Sequence, residues 1–142
     1  MAVKIVTDST GDIPAEVARE LDITVVPLNV HFGEESFQDG VDLDSDGFFQ
    51  RLTTETRLPT TSQPSVGAFL ETYRGLLEGG HDVVSIHISA KLSGTMNSAL
   101  QAREQLDAGP RLAVVDSQQV GIGVGVVTNK HLMYGFFRHA TL

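Results

Sequence analysis

A short polar turn at residues 89–95, Ser-Ala-Lys-Leu-Ser-Gly-Thr, carries side chains suited to binding an anion. It lies between an apolar run and a helical pattern, so we predict Ser93 as the N-cap and Gly94 as the first helical residue. The first amides of a helix have no partner within the helix and favour negative charge. With the hydroxyls of Ser93 and Thr95, they predict a carboxylate or phosphate site, although a plain capped turn would use the same residues.

A second hydroxyl-rich segment, Thr-Thr-Ser-Gln-Pro-Ser at residues 60–65, runs into another predicted helix. We predict that it is a loop, in which Thr61 and Ser62 offer further donors. Two such helix starts can meet around one acidic group. Here too the alternative is a capped loop that binds nothing.

Other chemistries find less support in the sequence. The phosphate loop GxxxxGK[ST] and the serine elbow GxSxG are both absent, and the five histidines are dispersed. A hydrolase or transferase that uses Ser89 or Ser93 as its nucleophile therefore stays an alternative without an assignable base. We expect no enzyme activity, no catalytic residue, no cofactor and no metal.

The sharpest competing pattern is Asp42-Leu-Asp44-Ser-Asp46-Gly47, which matches the first six positions of an EF-hand calcium loop. The twelfth position should be glutamate and is Thr53. Carboxylates at this spacing more often cap a short helix, but calcium binding remains an alternative.

Composition excludes several classes of function. Eighteen acidic residues against ten Lys and Arg give a net charge of −8, which disfavours nucleic acid. No apolar run is long enough to predict a membrane span. The absence of cysteine excludes disulfides and thiolate metal sites, and it suits a cytoplasmic location.

The elements that must position the two segments are strands alternating with helices. Strands are predicted at residues 3–6, 23–30 (with a break at Pro27), 83–88 and 112–115, and helices at 45–52, 66–77 and 94–106. Pro14 suits the first turn of a further helix, with Asp12 as its cap. Alternation predicts an α/β, three-layer fold whose mainly parallel sheet is flanked by helices. Polar clusters after three strands, at residues 7–9, 89–95 and 116–117, should then meet on one rim. His87 is predicted to be a strand residue in or near the core.

Five segments in order resemble the DegV family: VTDSTGDIP (6–14), FQDGVDL (37–43), PTTSQPS (59–65), ISAKLSGTMNSAL (88–100) and VVDSQQVGIGVG (114–125). The resemblance implies the N-terminal domain of the DegV fold and a fatty-acid-binding protein, which in some bacteria is the carrier subunit of a fatty acid kinase. It implies that Thr61 and Ser93 bind the carboxylate of a long-chain fatty acid. The acyl chain would lie in a tunnel against a second domain, and a separate kinase would make the acyl phosphate.

The resemblance covers residues 1–126, which we predict to be a DegV-like N-terminal α/β domain. Residues 127–142 are predicted to be a divergent tail that does not form a convincing helix, with the second domain absent. A domain without its partner should expose an apolar patch, so we expect a homodimer or larger oligomer. The alternative is a truncated remnant that folds but binds nothing.

Overall fold

The fold is described from a computed structural model over residues 2–133, with side chains described to residue 128. The strands of this part of the chain are β1 (Val3–Asp8), β2 (Ile23–Val26), β3 (Asn29–Phe32), β4 (Glu35–Gln38), β5 (Thr60–Ser62), β6 (Asp82–His87) and β7 (Leu112–Asp116). Its α-helices are α1 (Ala15–Glu20), α2 (Ser45–Thr54), α3 (Val66–Glu78), α4 (Thr95–Leu106) and α5 (Ile122–Met133).

A four-stranded parallel sheet with the order β2-β1-β6-β7 forms the centre of the molecule. Side chains alternate along each strand, so β6 presents Val83 and Ser85 to one face and Val84 and Ile86 to the other. The first face packs on α3 and α4, with Phe69 fully buried. The second face packs on α1 and α5. The predicted three-layer α/β fold is confirmed.

A second, antiparallel sheet has the strand order β4-β3-β5. The apolar run at residues 23–30 breaks at Pro27, as predicted, and its second half becomes the central strand of this small sheet. The turn at Gly33, where φ is 61°, closes the β3–β4 hairpin. The prediction of a loop at residues 60–65 is wrong for its first half, because Thr60–Ser62 pairs with β3.

The starts of α1 and α4 differ slightly from the prediction. Helix α1 begins at Ala15 with Pro14 at the N-cap, while Asp12 lies in a left-handed conformation (φ 49°) at the end of a 3-10 turn. Asp12 therefore does not cap α1. Helix α4 begins at Thr95 and not at Gly94, which takes the N-cap position without a side-chain hydrogen bond.

The glycine-rich stretch after β7 packs closely against the start of the chain. A Cβ atom added to Gly125 would lie 2.5 Å from the carbonyl oxygen of Gly11, so only glycine allows α5 to approach this closely. The expectation of no helix after Val126 is wrong for residues 127–133, which continue α5 to Met133. Residues 134–142 of the predicted tail lie outside the described residues. In the part of the chain that is described, no helix is both long and apolar enough to cross a bilayer.

Candidate functional site

The polar clusters that follow β1, β6 and β7 converge on one edge of the parallel sheet, as predicted. The amide of Ser89 donates to the carbonyl of Gln119 at 3.0 Å. The amide of Ala90 lies 3.3 Å from Asp116 Oδ2. At the end of β1, Asp8 Oδ2 accepts from the amide of Ile88 at 3.1 Å. The turn that begins at Ser89 is thus tied to the strands on both sides of β6.

Within this turn, Ser93 is oriented by its own backbone and by Thr95. The carbonyl of Ser89 accepts from the amides of Leu92 and Ser93 at 2.9 and 3.2 Å. Ser93 Oγ accepts from the Thr95 amide at 3.2 Å and lies 2.9 Å from Thr95 Oγ1. Thr95 is fully buried, so it has no exposed surface to offer a ligand in this structure. When the Thr95 hydroxyl donates to Ser93 Oγ, the Ser93 proton is free for another acceptor.

The second predicted segment is an edge strand with two different faces. Thr61 pairs opposite Val30, whereas Ser62 pairs opposite Asn29. Ser62 Oγ lies 2.9 Å from Nε2 of His31, whose side chain is on the same face. Because side chains alternate along a strand, Thr61 and Ser62 point to opposite faces. Thr61 is exposed, and the hydroxyl of Ser62 is engaged within the small sheet.

The two predicted segments touch through Gln63, a residue that the sequence did not single out. A Cβ atom added to Gly94 would lie 2.8 Å from Gln63 Nε2 and 3.0 Å from its Cδ. The side chain of Gln63 therefore lies directly over the backbone of Gly94, at the position that a β-carbon would occupy. The signal in the sequence was the glycine itself, although nothing there identified its neighbour.

A chain of buried hydrogen bonds lies under this edge of the sheet and was also missed. Tyr73 donates its hydroxyl proton to Ser85 Oγ at 2.7 Å, and Ser85 Oγ lies 2.6 Å from His87 Nε2. His87 Nδ1 lies 2.9 Å from Asp8 Oδ2. The prediction that His87 is a core strand residue is confirmed, since it is 0% exposed. We name these four residues the buried relay.

Two ionisable members of the buried relay have shifted pKa values. Burial alone would raise the pKa of Asp8, but hydrogen bonds from His87, Thr10 and the Ile88 amide outweigh it and lower that pKa. Burial raises the pKa of the Tyr73 hydroxyl, and the nearby Asp8 charge adds to the shift. Asp8 is therefore a carboxylate and Tyr73 retains its proton at neutral pH.

The buried relay has the residue types of a Ser-His-Asp triad without the access that catalysis needs. Ser85 and His87 are 0% exposed, so no substrate carbonyl reaches Ser85 Oγ in this structure. Ser89 and Ser93, the nucleophiles considered from the sequence, make no hydrogen bond to a histidine within the described residues. The geometry gives the serine-enzyme alternative no support.

In the acidic segment at residues 42–47, two aspartate carboxylates accept hydrogen bonds from backbone amides. Asp44 Oδ1 accepts from the Gly47 amide at 2.8 Å and caps α2. Asp42 Oδ2 accepts from the Gln38 amide at 2.9 Å. Over the described residues, no group of three or more His, Cys, Asp or Glu side chains is arranged to hold a metal ion. Calcium binding stays an untested hypothesis, for which a Ca²⁺ titration by calorimetry is the measurement.

Exposed apolar side chains flank the serine-rich turn. Leu92 lies within the turn and is 64% exposed, and Val120 and Ile122, in the segment after β7, are 58% and 73% exposed. The segment that carries Val120 and Ile122 meets the turn through Gln119, whose carbonyl accepts from the Ser89 amide at 3.0 Å. We name these three residues the apolar rim.

The chain is thus an α/β protein with a parallel sheet, and its candidate anion site lies at the carboxyl ends of the strands. A sequence profile described as an uncharacterised protein of the DegV family matches residues 2–131. The chain is 43% identical over 128 residues to a DegV domain-containing protein of Clostridium perfringens, which covers 90% of this chain and 46% of that protein. This chain belongs to the DegV family.

Solved structures show the same fold. A fat acid (stearic acid)-binding protein from Eubacterium ventriosum matches with a TM-score of 0.88 at 33% identity, over 97% of this chain and 50% of that one. A DegV family protein from Thermus thermophilus, described by its fatty acid binding, matches with a TM-score of 0.85 at 36% identity, over 96% of this chain and 48% of that one. The chain spans about half the length of each of these three proteins.

Proposed function

We propose that this chain binds a long-chain fatty acid and holds its carboxylate with the hydroxyls of Thr61 and Ser93. The observation that carries the proposal is the contact between Gln63 and Gly94, which joins the two hydroxyl-bearing segments. The proposal is further supported by the fold, which is shared with a stearic acid-binding protein.

The direction of Thr61 follows from the chain around it. Gln63 precedes Pro64, and a residue before proline favours an extended backbone. If the alternation of the strand continues to Gln63, Thr61 and Gln63 lie on the same side. Because Gln63 lies over Gly94, this arrangement turns Thr61 towards the turn that carries Ser93. Ser62, on the other face, would support the small sheet and leave the ligand to Thr61.

The acyl chain supplies most of the proposed affinity. Each buried CH₂ contributes about 0.8 kcal/mol, so about 14 methylenes contribute on the order of 11 kcal/mol before ordering costs. A buried carboxylate without donors would be strongly unfavourable, so the hydroxyls mainly orient the head group. Local donors are sufficient for this purpose, and a net charge of −8 does not prevent it.

We also propose a separate kinase as the partner that receives the carboxylate, and a cytoplasmic location for the exchange. The apolar rim is proposed to be covered by the acyl chain together with a second copy of this chain. Gel filtration with light scattering at micromolar concentration tests the second copy. A monomer under those conditions would contradict the homodimer or larger oligomer.

Mass spectrometry of organic extracts from the purified chain tests the ligand. We expect a co-purifying fatty acid and about tenfold weaker binding for Thr61→Ala or Ser93→Ala, the loss of one hydrogen bond to a charged group. Thr60→Ala is the matched control, because Thr60 is also exposed but pairs opposite His31 and faces away from Thr61. An unchanged affinity in both test variants would refute the head-group assignment. An absence of binding by the wild type would favour the non-binding remnant.

A further inference from the structure

Two adjacent residues at the end of β1 contact both halves of the candidate site. Asp8 Oδ2 accepts from the Ile88 amide at 3.1 Å, one residue before the serine-rich turn. Ser9 Oγ accepts from the Leu28 amide at 3.0 Å, one residue before β3. Strand β3 in turn pairs with the strand that carries Thr61. The end of β1 thus accepts a hydrogen bond from one backbone amide shortly before each half of the site: one before the turn that carries Ser93, and one before the strand that pairs with the Thr61 strand.

The hydrogen-bond inventory of the buried relay sets the orientation of Asp8. Tyr73 keeps its proton and donates it to Ser85 Oγ, so a neutral His87 ring would accept the Ser85 proton at Nε2. Because the Asp8 carboxylate can only accept, His87 Nδ1 carries a ring proton and donates it to Asp8. The reverse direction would leave the buried Tyr73 hydroxyl proton without an acceptor, which is costly.

Asp8 is fixed from its other side as well. Oδ1 accepts from the amide and the hydroxyl of Thr10. The carboxylate is therefore held by donors from three places in the chain, Thr10, His87 and Ile88, and it is 1% exposed. A group held this firmly fixes the backbone at Ile88, and the next residue, Ser89, provides the carbonyl that holds the amide of Ser93.

We propose that Asp8 and Ser9 are positioning residues: Asp8 fixes the turn that carries Ser93, and Ser9 fixes the start of the small sheet that carries Thr61. The head-group part of this inference rests on the proposed function, whereas the positioning of the two segments does not. Neither residue has to touch the ligand, because each acts through one backbone amide.

Amide hydrogen exchange by NMR on the full chain tests the positioning directly. In Asp8→Asn, the amides of Leu92 and Ser93 should exchange about tenfold faster relative to core amides of β6 in the same protein. In Ser9→Ala, the Leu28 amide should be the one that exchanges faster relative to the same core amides. Leu112→Val is the control: Leu112 is fully buried at the start of β7, at the opposite end of the sheet from the turn and outside the buried relay, so the change should lower global stability and leave the relative exchange of Leu92 and Ser93 unchanged.

Fatty acid affinity provides the second measurement, with stearic acid as the probe. Asp8→Asn should weaken binding about tenfold and Leu112→Val should leave it unchanged, even though both lower stability. If Leu112→Val loosens the turn as much as Asp8→Asn, or if Asp8→Asn leaves the turn unchanged, the positioning role is overturned. If the wild type binds no stearic acid but the turn responds to Asp8→Asn, the proposed function fails and the positioning stands.

A measurement on the wild type covers the case in which Asp8→Asn does not fold. Long-range ¹H–¹⁵N spectra should show a proton on His87 Nδ1. A ring protonated on Nε2 alone would mean that His87 does not donate to Asp8, and it would overturn the hydrogen bonding that holds Asp8 in position.

Discussion

The two halves of the candidate site differ in how firmly the surrounding structure holds them. The turn that carries Ser93 follows β6, a strand with neighbours on both sides and five buried residues out of six. Thr61 lies on β5, an edge strand of three residues that pairs only with β3 within the described chain. The first half is held by a fully satisfied polar network, and the second by a short strand ladder and a few surface contacts.

The difference shows how one protein can combine rigidity with adjustment. Local opening takes the least free energy where few apolar contacts and many exposed hydrogen bonds hold the backbone. By that criterion the small sheet opens before the parallel sheet does. A ligand that needs both hydroxyls would then approach a fixed Ser93 while the Thr61 side adapts to it. Substitutions in the two halves and elsewhere in the chain should reveal this difference in stability, and the largest effects are expected in the aromatic core.

Removing an aromatic ring from the helix that packs on each sheet gives the largest contrast. Phe69 is 0% exposed and contacts both Tyr73 and His87, so Phe69→Ala should lower the free energy of unfolding by about 3 to 5 kcal/mol. Phe48 packs on Phe32 in the small sheet but is half-buried, so Phe48→Ala should lower it by roughly 1 to 2 kcal/mol. Urea denaturation measures both losses of stability. Equal losses would contradict the expectation that the small sheet is held less firmly than the parallel sheet.

The charge of Asp8 should make the stability of the first half depend on pH. Its folded-state pKa lies below the ordinary value of 3.8, so its stabilisation is complete above that value and is lost as pH falls through the folded pKa. Asp8→Asn should lower the free energy of unfolding at pH 7 by about 1.5 to 3 kcal/mol, as expected for a hydrogen-bonded charge. Denaturation at a series of pH values should show this gap narrowing below pH 3.8. A gap that stays constant would argue against the ionised carboxylate.

Two hydroxyls of the second segment should separate structure from binding. Ser65 Oγ accepts from the Ala68 amide at 3.1 Å and caps α3, so Ser65→Ala should cost about 1 kcal/mol of stability. Thr61 is exposed on the edge strand, so Thr61→Ala should change stability by less than about 0.5 kcal/mol. Thermal unfolding compares them. A large loss of stability for Thr61→Ala would show that this strand is more firmly held than its contacts indicate.

The smallest effect is expected at two aspartates in left-handed conformations. Partial burial and the nearby Asp39 raise the pKa of Asp12, so Asp12→Asn should stabilise the fold by at most about 0.5 kcal/mol, since solvent screens the repulsion. Asp22 has a similar φ of 55° but is paired with Lys4, and its replacement by asparagine should be neutral or slightly destabilising. Denaturant midpoints decide the sign, and a loss at Asp12 would contradict the repulsion.

Much of the first half could be predicted because it depends on local pattern. The buried runs that became β6 and β7, the helix after the turn and the break at Pro27 all follow from apolar periodicity and backbone restriction. The helix start at residues 93–95 was predicted within one residue, since the capping patterns of serine and glycine overlap there.

The second half was harder to predict because its pairing is not local. Strand β5 has only three residues and no apolar alternation, and it exists because β3, about thirty residues earlier, offers an unpaired edge. The buried relay was missed for a similar reason. Asp8 and His87 are 79 residues apart, and only the parallel pairing of β1 with β6 brings their side chains together.

The sequence by itself determined the α/β class, the rim on which the polar clusters meet and the residue types able to hold an acidic group, because strand and helix periodicity are properties of short segments. The tertiary structure alone decided that Gln63 lies over Gly94, that Thr61 and Ser62 face opposite ways and that a buried carboxylate supports the turn. Those facts depend on strand register and side-chain contact between distant segments, which no local pattern encodes.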